Sequence, residues 1–141
     1  MLSATCRIPQ LVARAVDDGQ RALALTDSGN LFGAIEFYKK CGKDLKPLLG
    51  MEAYCASRSM RENTSAENPN YQLVLLATSN EGWDNLKQIS SISYRDGFYY
   101  RPRVDLELLS QYSNGIVALS SGMYGEIGQH LTAGRNADAM A

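Results

Sequence analysis

Leu23-Ala24-Leu25-Thr26-Asp27-Ser28-Gly29-Asn30-Leu31-Phe32-Gly33 changes character twice within eleven residues. Leu23 to Leu25 are apolar and lead into Thr26, which reads as a short buried strand. Asp27 to Asn30 are polar and turn-forming. Leu31-Phe32-Gly33-Ala34-Ile35-Glu36-Phe37-Tyr38 then follows a helical pattern, with Asn30 placed to cap it. A strand that ends on a carboxylate and turns at once into a helix is how α/β folds bring polar chemistry to the carboxyl ends of their strands. Asp27 therefore has two readings, a functional carboxylate or a local cap or Asx-turn. The spacing alone leaves both open.

The same alternation extends outward. Upstream, Pro9 suits a first helical turn, and Leu11, Val12, Ala15 and Val16 share one face before Asp17-Asp18-Gly19 end the helix. Downstream, Gly42 suits a helix C-cap. Lys46 to Tyr54 (KPLLGMEAY) reads as a second strand carrying Glu52 near its end, so adjacent parallel strands would bring Asp27 and Glu52 to one rim. Arg58 to Asn70 is charged, aperiodic and Asn/Ser-rich; it reads as a mobile surface loop with a turn at Asn68-Pro69-Asn70. Tyr71 to Ala77 is a third apolar run. A helix opens at Ser79 or Asn80, with Trp83, Leu86, Ile89 and Ile92/Ser93 at helical spacing and Trp83 read as core. Asp105 suits the cap of a short helix over 106–112, and Asn114-Gly115 turns into a fourth run, Ile116 to Leu119. Ser120-Ser121-Gly122 precedes a short helix containing Glu126 and Ile127. A last helix begins in 134–141, where its lack of a full apolar face hints at truncation. Four buried strands with right-handed helical crossovers predict a parallel α/β assembly. Since a complete eight-stranded barrel takes about 250 residues, the expectation is a partial barrel, or else a small open three-layer sheet.

Composition narrows the function. The chain has 141 residues, enough for one domain, and a net charge of -1, which excludes a chain-wide basic nucleic-acid surface. One stretch is both aromatic and basic, Tyr94 to Arg103 (YRDGFYYRPR). Its arginines Arg95, Arg101 and Arg103 could meet phosphate, and Phe98, Tyr99 and Tyr100 could stack on bases or pack against a neighbouring domain. Cys6, Cys41 and Cys55 are odd in number and lack a CxxC pair, so free thiols are expected rather than disulfides or a zinc cluster. No apolar window suits a membrane span and no signal peptide opens the chain, so a soluble cytoplasmic protein is expected.

Taken together, ALALTDSGNLFGAIEFYKKC (22–41), KPLLGMEAY (46–54), YQLVLLATSNEGWDNL (71–86), GFYYRPRVD (97–105) and GIVALSSGMYGEI (115–127) closely resemble the polymerase-and-histidinol-phosphatase (PHP) domain at the amino end of bacterial DNA polymerase III alpha subunits. The resemblance covers nearly the whole chain and is closer to these replicative subunits than to stand-alone histidinol phosphatases. It implies a distorted (β/α)7 barrel, here about four parallel strands of it, as one partial PHP domain over 1–141 truncated at both ends. Active members hold a histidine-rich cluster, usually described as trinuclear, and can act as manganese- or zinc-dependent 3'–5' exonucleases.

Carried over residue by residue, the family's ligands are mostly missing. The His-x-His strand would lie before Met1, with Leu2-Ser3-Ala4 at its tail. The Asp-His-Gly triplet is Asp27-Ser28-Gly29, the next glutamate is Glu52, and Gln72 and Gly122 stand where a histidine and a cysteine are expected. Later ligands would lie beyond Ala141. Hydroxyl, amide and glycine do not replace imidazole or thiolate, so Asp27 and Glu52 are read as a vestigial metal site. No cofactor is expected, weak Mg2+ or Mn2+ binding apart. His130, the sole histidine, is read as a packing or surface residue.

The resemblance thus implies a fragment of a DNA-directed DNA polymerase of DNA replication, a nucleotidyltransferase, whose acidic palm residues lie outside this segment. The segment itself is expected to be a non-catalytic structural and interaction module. Its implied partners are the remainder of the alpha chain, a proofreading subunit, and DNA through the full-length protein, with no membrane. A working metal-dependent phosphoesterase is the alternative, and a stand-alone binding protein would need its strand edges capped by dimerisation.

Overall fold

The computed structural model describes residues 6–63 and 69–140. Leu2-Ser3-Ala4, Asn68 of the expected 68–70 turn, the centre of the 58–70 loop, and Ala141 lie outside the described residues. In chain order the elements are α1 (Ile8–Asp17), β1 (Ala22–Ser28), α2 (Ala34–Cys41), β2 (Lys46–Ala56), β3 (Asn70–Ala77), α3 (Asn80–Arg95), β4 (Phe98–Tyr99), β5 (Arg101–Val104), α4 (Leu106–Gln111), β6 (Ile116–Ser120), a 3-10 turn (Gly122–Tyr124), α5 (Glu126–Thr132) and α6 (Asn136–Met140). No helix among the described residues is long and apolar enough to cross a membrane.

The sheet is mixed, which corrects the all-parallel expectation. β1 runs parallel to the first half of β2, Leu25 beside Leu49 and Ser28 beside Glu52. β5 runs parallel to the end of β2, Tyr54 beside Arg103. On the other edge β3 is antiparallel to β2, and β6 is antiparallel to β3. The physical reason lies between Ala56 and Asn70. A parallel return needs a crossover of a dozen or more residues, usually helical, and no helix is assigned in the described part of this connection. Ser57 N–H instead donates to Pro69 O at 3.1 Å, closing the chain back on itself. Two further strands, β4 and β5, form a short hairpin that was not expected from the sequence.

Directly opposed residues share a face of a sheet, and neighbours along a strand alternate. Leu49, Met51 and Ala53 of β2 therefore point one way, together with their partners Leu25, Leu75 and Leu73. The helices cover that face. Met51, Ala53, Leu75 and Val104 pack with Leu86 and Ile89 of α3, Leu108 of α4 and Met60. Leu25 and Leu49 pack against a second cluster formed by Val12, Ala15, Phe37, Cys41 and Leu45. Ser79 caps α3 by accepting from Gly82 N–H at 3.1 Å, and Trp83 packs on the first cluster. Gly42 ends α2 with φ 58°, in the region open to glycine. At the start of α3, a Cβ on Gly82 would run into the carbonyl of Gly115, so helix and strand meet main chain to main chain.

The opposite face carries Thr26, Ser28, Gly50, Glu52, Tyr54, Gln72, Val74, Leu76, Val117 and Leu119 by the same register. β6 was expected to be buried. Instead Val117 and Leu119 are 45% and 47% exposed, because β6 pairs on one side only among the described residues and its outward side chains lie on the helix-free face.

Candidate functional site

The loop between β1 and α2 is built by side-chain hydrogen bonds. Asn30 does not cap α2, which begins three residues later than expected. It makes an Asx-type turn instead, Phe32 N–H donating to its Oδ1 at 3.0 Å while its own Nδ2 donates to Ser28 O at 2.9 Å. Asp27 Oδ2 accepts from Gly33 N–H at 2.8 Å. The side chain of Asp27 thus fastens the start of the helix, which is the local role that spacing had left open.

Asp27 and Glu52 reach the same rim, as expected, but on opposite faces. Asp27 lies opposite Met51 on the helix-covered face, whereas Ser28 lies opposite Glu52 on the helix-free face. Ser28 Oγ donates to Glu52 Oε2 at 2.8 Å. Gln72, opposite Tyr54, shares that face. Gly122 sits in the turn after β6 with φ 54°, a region strained for any residue with a Cβ, so a thiol ligand would require a different backbone here. The residues gathered at this rim are therefore a hydroxyl, an amide and one carboxylate, with the second carboxylate committed to a main-chain N–H. This donor set does not fit a histidine-rich transition-metal cluster.

Of the packing and surface readings left open for His130, the structure shows packing. Its side chain is 14% exposed, and its ring lies 6.1 Å from that of Tyr71. Glu126 and Asp138 approach it at 3.8 and 4.0 Å, too far for hydrogen bonds.

The aromatic-basic stretch is rearranged by folding. Arg103 is 1% exposed, which corrects its reading as a phosphate contact. Its guanidinium donates to Gly97 O at 3.1 Å, Glu62 O at 2.8 Å, Asn63 Oδ1 at 3.1 Å and Met60 O, and lies 5.2 Å from the ring of Tyr99. Burial lowers its pKa from the ordinary arginine value. Arg103 and Asp105 together hold the first half of the supposed mobile loop, since Asp105 Oδ2 accepts from Met60 N–H at 3.0 Å while Oδ1 accepts from Leu108 N–H at 3.0 Å as the cap of α4. Arg95 forks onto Asp96 at 2.7 and 2.9 Å, and the Arg95–Asp96 hydrogen bond holds that carboxyl below its usual range. Arg101 lies 4.7 Å from the ring of Tyr54. Period-two alternation puts Arg101 and Arg103 on the same face of β5, so no local signal in the sequence separates the exposed arginine from the buried one.

Residues 1–141 match the family described as PHP domain. The chain belongs to the PHP domain family. It is 46% identical over 92% of its length to DNA polymerase III subunit alpha of Chlamydia trachomatis, 40% identical over 99% to that of Borreliella burgdorferi, and 38% identical over 89% to that of Aquifex aeolicus. The matched region is 11–12% of each of these relatives, so the chain spans about a tenth of their length. The mixed α/β architecture is consistent with a PHP-type fold.

Two of the three thiols of this PHP chain are shifted by their surroundings. Burial, with the nearby charges of Glu126 and Asp105, pushes Cys55 up to about 11, and burial also raises Cys41. Cys6 is exposed. At pH 8, iodoacetamide is expected to alkylate the exposed Cys6 first, with Cys55 much slower because it is partly enclosed and so little of it is thiolate. Site-resolved mass spectrometry checks the order, and equal rates at the two positions would contradict it.

Proposed function

We propose that this chain is the PHP portion of a bacterial replicative DNA polymerase III alpha subunit, acting as structural support and docking surface rather than as a nuclease. The membership and the relatives' names support the parent protein. The observation that carries the non-catalytic reading is the hydrogen bond from Ser28 Oγ to Glu52 Oε2. It joins a hydroxyl to the carboxylate at the very place where the family resemblance calls for imidazole, and Asp27 is occupied nearby with Gly33 N–H.

In this reading residues 1–141 form one partial PHP domain. The helix-free sheet face is the inner face of a distorted barrel, and further strands of the same polypeptide add beside β6. The partners are the rest of the alpha chain, a proofreading subunit, and DNA through the whole polymerase. The setting is the cytoplasm, where replication would place it. DNA synthesis belongs to the parent subunit.

Two measurements test this. Mass determination of the native polypeptide is expected to give roughly ten times the present length; a native product of 141 residues would overturn the parent assignment. Titration of the chain with Mn2+ or Zn2+ is expected to give weak, unsaturated binding and no 3'–5' exonuclease activity. Tight stoichiometric metal, with hydrolysis abolished by Glu52→Gln, would establish the phosphoesterase instead.

A further inference from the structure

Asn114-Gly115 forms the middle of the turn into β6, which Ile116 N–H closes by donating to Ser113 O at 3.1 Å. Gly115 holds φ 70° there, and Asn114 is exposed. In the whole chain Asn114 is the one asparagine followed by glycine. That pair is open to an intramolecular reaction, because the second residue has no side chain to keep its nitrogen away from the carboxamide of the first. Among the described residues the N–H of Gly115 has no acceptor, so nothing shields it.

The reaction is closure of a cyclic imide. Hydroxide removes the Gly115 N–H proton, and the nitrogen attacks Cγ of Asn114. The N–Cγ bond forms, the Cγ–Nδ2 bond breaks, and Nδ2 leaves as ammonia with a proton taken from water. Water then opens the ring at either carbonyl. Opening at Cγ gives aspartate; opening at the main-chain carbonyl gives isoaspartate, whose chain runs on through Cγ. Overall a water is consumed and an ammonia released.

The fold sets how readily the ring can close. The peptide unit is planar, so the Gly115 nitrogen reaches the side chain only by rotation about the Cα–C bond of Asn114. That rotation swings the Asn114 carbonyl with it. The carbonyl is held, since Asn85 Nδ2 on α3 donates to Asn114 O at 2.8 Å. The next carbonyl is held as well: Gly115 O accepts from Thr78 N–H at 2.8 Å and from Thr78 Oγ1 at 3.0 Å.

We propose that Asn114 is a site of spontaneous deamidation, and that the Asn85 carboxamide is the group that restrains it. The product acts on the junction of α3 with β6. Isoaspartate inserts an extra main-chain carbon just before Gly115. The carbonyl that receives both Thr78 donors and faces the main chain of Gly82 is thereby displaced.

Peptide mapping by mass spectrometry tests this on the native full-length polypeptide and on its Asn85→Ala and Asn85→Asp variants, each incubated at pH 8. Asn114 is expected to convert slowly in the parent and severalfold faster in both variants, since neither presents an amide donor to Asn114 O. Asn30, which sits in a hydrogen-bonded turn of its own before Leu31, reports general loosening and is expected to keep its parent rate. In converted molecules the segment containing Thr78 is expected to lose hydrogen-exchange protection while β1 and β2 keep theirs. Equal rates at Asn114 in the parent and both variants would overturn the restraint, as would an equal rise at Asn30. Absence of conversion at Asn114 in all three proteins would overturn the site itself.

Discussion

Replacing Arg103 by methionine is expected to destabilise the fold by about 2–4 kcal/mol, since each buried oxygen left without a donor costs about 1–3 kcal/mol. The long side chain would still fill the space. What disappears is a fork of donors that holds Met60 O, Glu62 O and Asn63 Oδ1 against Gly97 O. Gly97 O would keep one partner, since the main-chain N–H of Arg103 also donates to it at 3.2 Å. The carbonyl of Met60, a residue only 2% exposed, would lose the guanidinium in an interior with little water to replace it. Arg103→Lys is not expected to rescue, because a single ammonium cannot span acceptors arranged around a planar fork. Urea unfolding checks this as a fall in midpoint at constant slope. A loss below about 1 kcal/mol would mean that the guanidinium contributes no more than an ordinary neutral hydrogen bond.

The second large effect is expected at Asp105, which is 4% exposed. Asp105→Ala removes the cap of α4, usually worth about 1 kcal/mol, and leaves the buried N–H of Met60 without its acceptor, a further 1–3 kcal/mol or so. The total is about 2–4 kcal/mol, read from the same unfolding curves. Arg103 grips the carbonyl of Met60 and Asp105 grips its N–H, so the two losses should not add. The double variant should cost at least about 0.5 kcal/mol less than the sum, since once either clasp is lost the segment can relax away from the other. Strict additivity would show that the two clasps act independently.

These two residues also show where sequence reasoning stops. The apolar runs of β1, β2 and β3, the helical spacing of α3 and the caps Ser79 and Asp105 were all legible, because each depends on neighbours within a few positions. Strand direction was not. Leu73 to Leu76 look alike whichever way the strand runs, and only the connection from Ser57 to Pro69 decides it. The apolar letters of β6 likewise say nothing about whether anything covers Val117 and Leu119. Arg103 was read as a surface charge because its partners lie forty residues upstream at Met60, Glu62 and Asn63. At the candidate site, the residues Ser28, Glu52 and Gln72 could be placed near one rim from the sequence pattern. That Asp27 turns away from Glu52 and ties down Gly33 emerged only from the register.

The meeting of Gly82 with Gly115 bears on how freely this chain can drift. A side chain at position 82 would strike the Gly115 carbonyl itself, and one at 115 would strike the main chain of Gly82. Because main chain stands in the way in both directions, with the Ser79 hydroxyl beside it at position 115, no second substitution at the partner position can make room for the first. The rim positions Ser28 and Gln72 differ. Ser28 lies at an exposed rim and Gln72 is partly exposed, so exchanges of side chain there meet little resistance from packing. Side chains at this rim can therefore change by small steps, whereas the junction of α3 with β6 is closed to them.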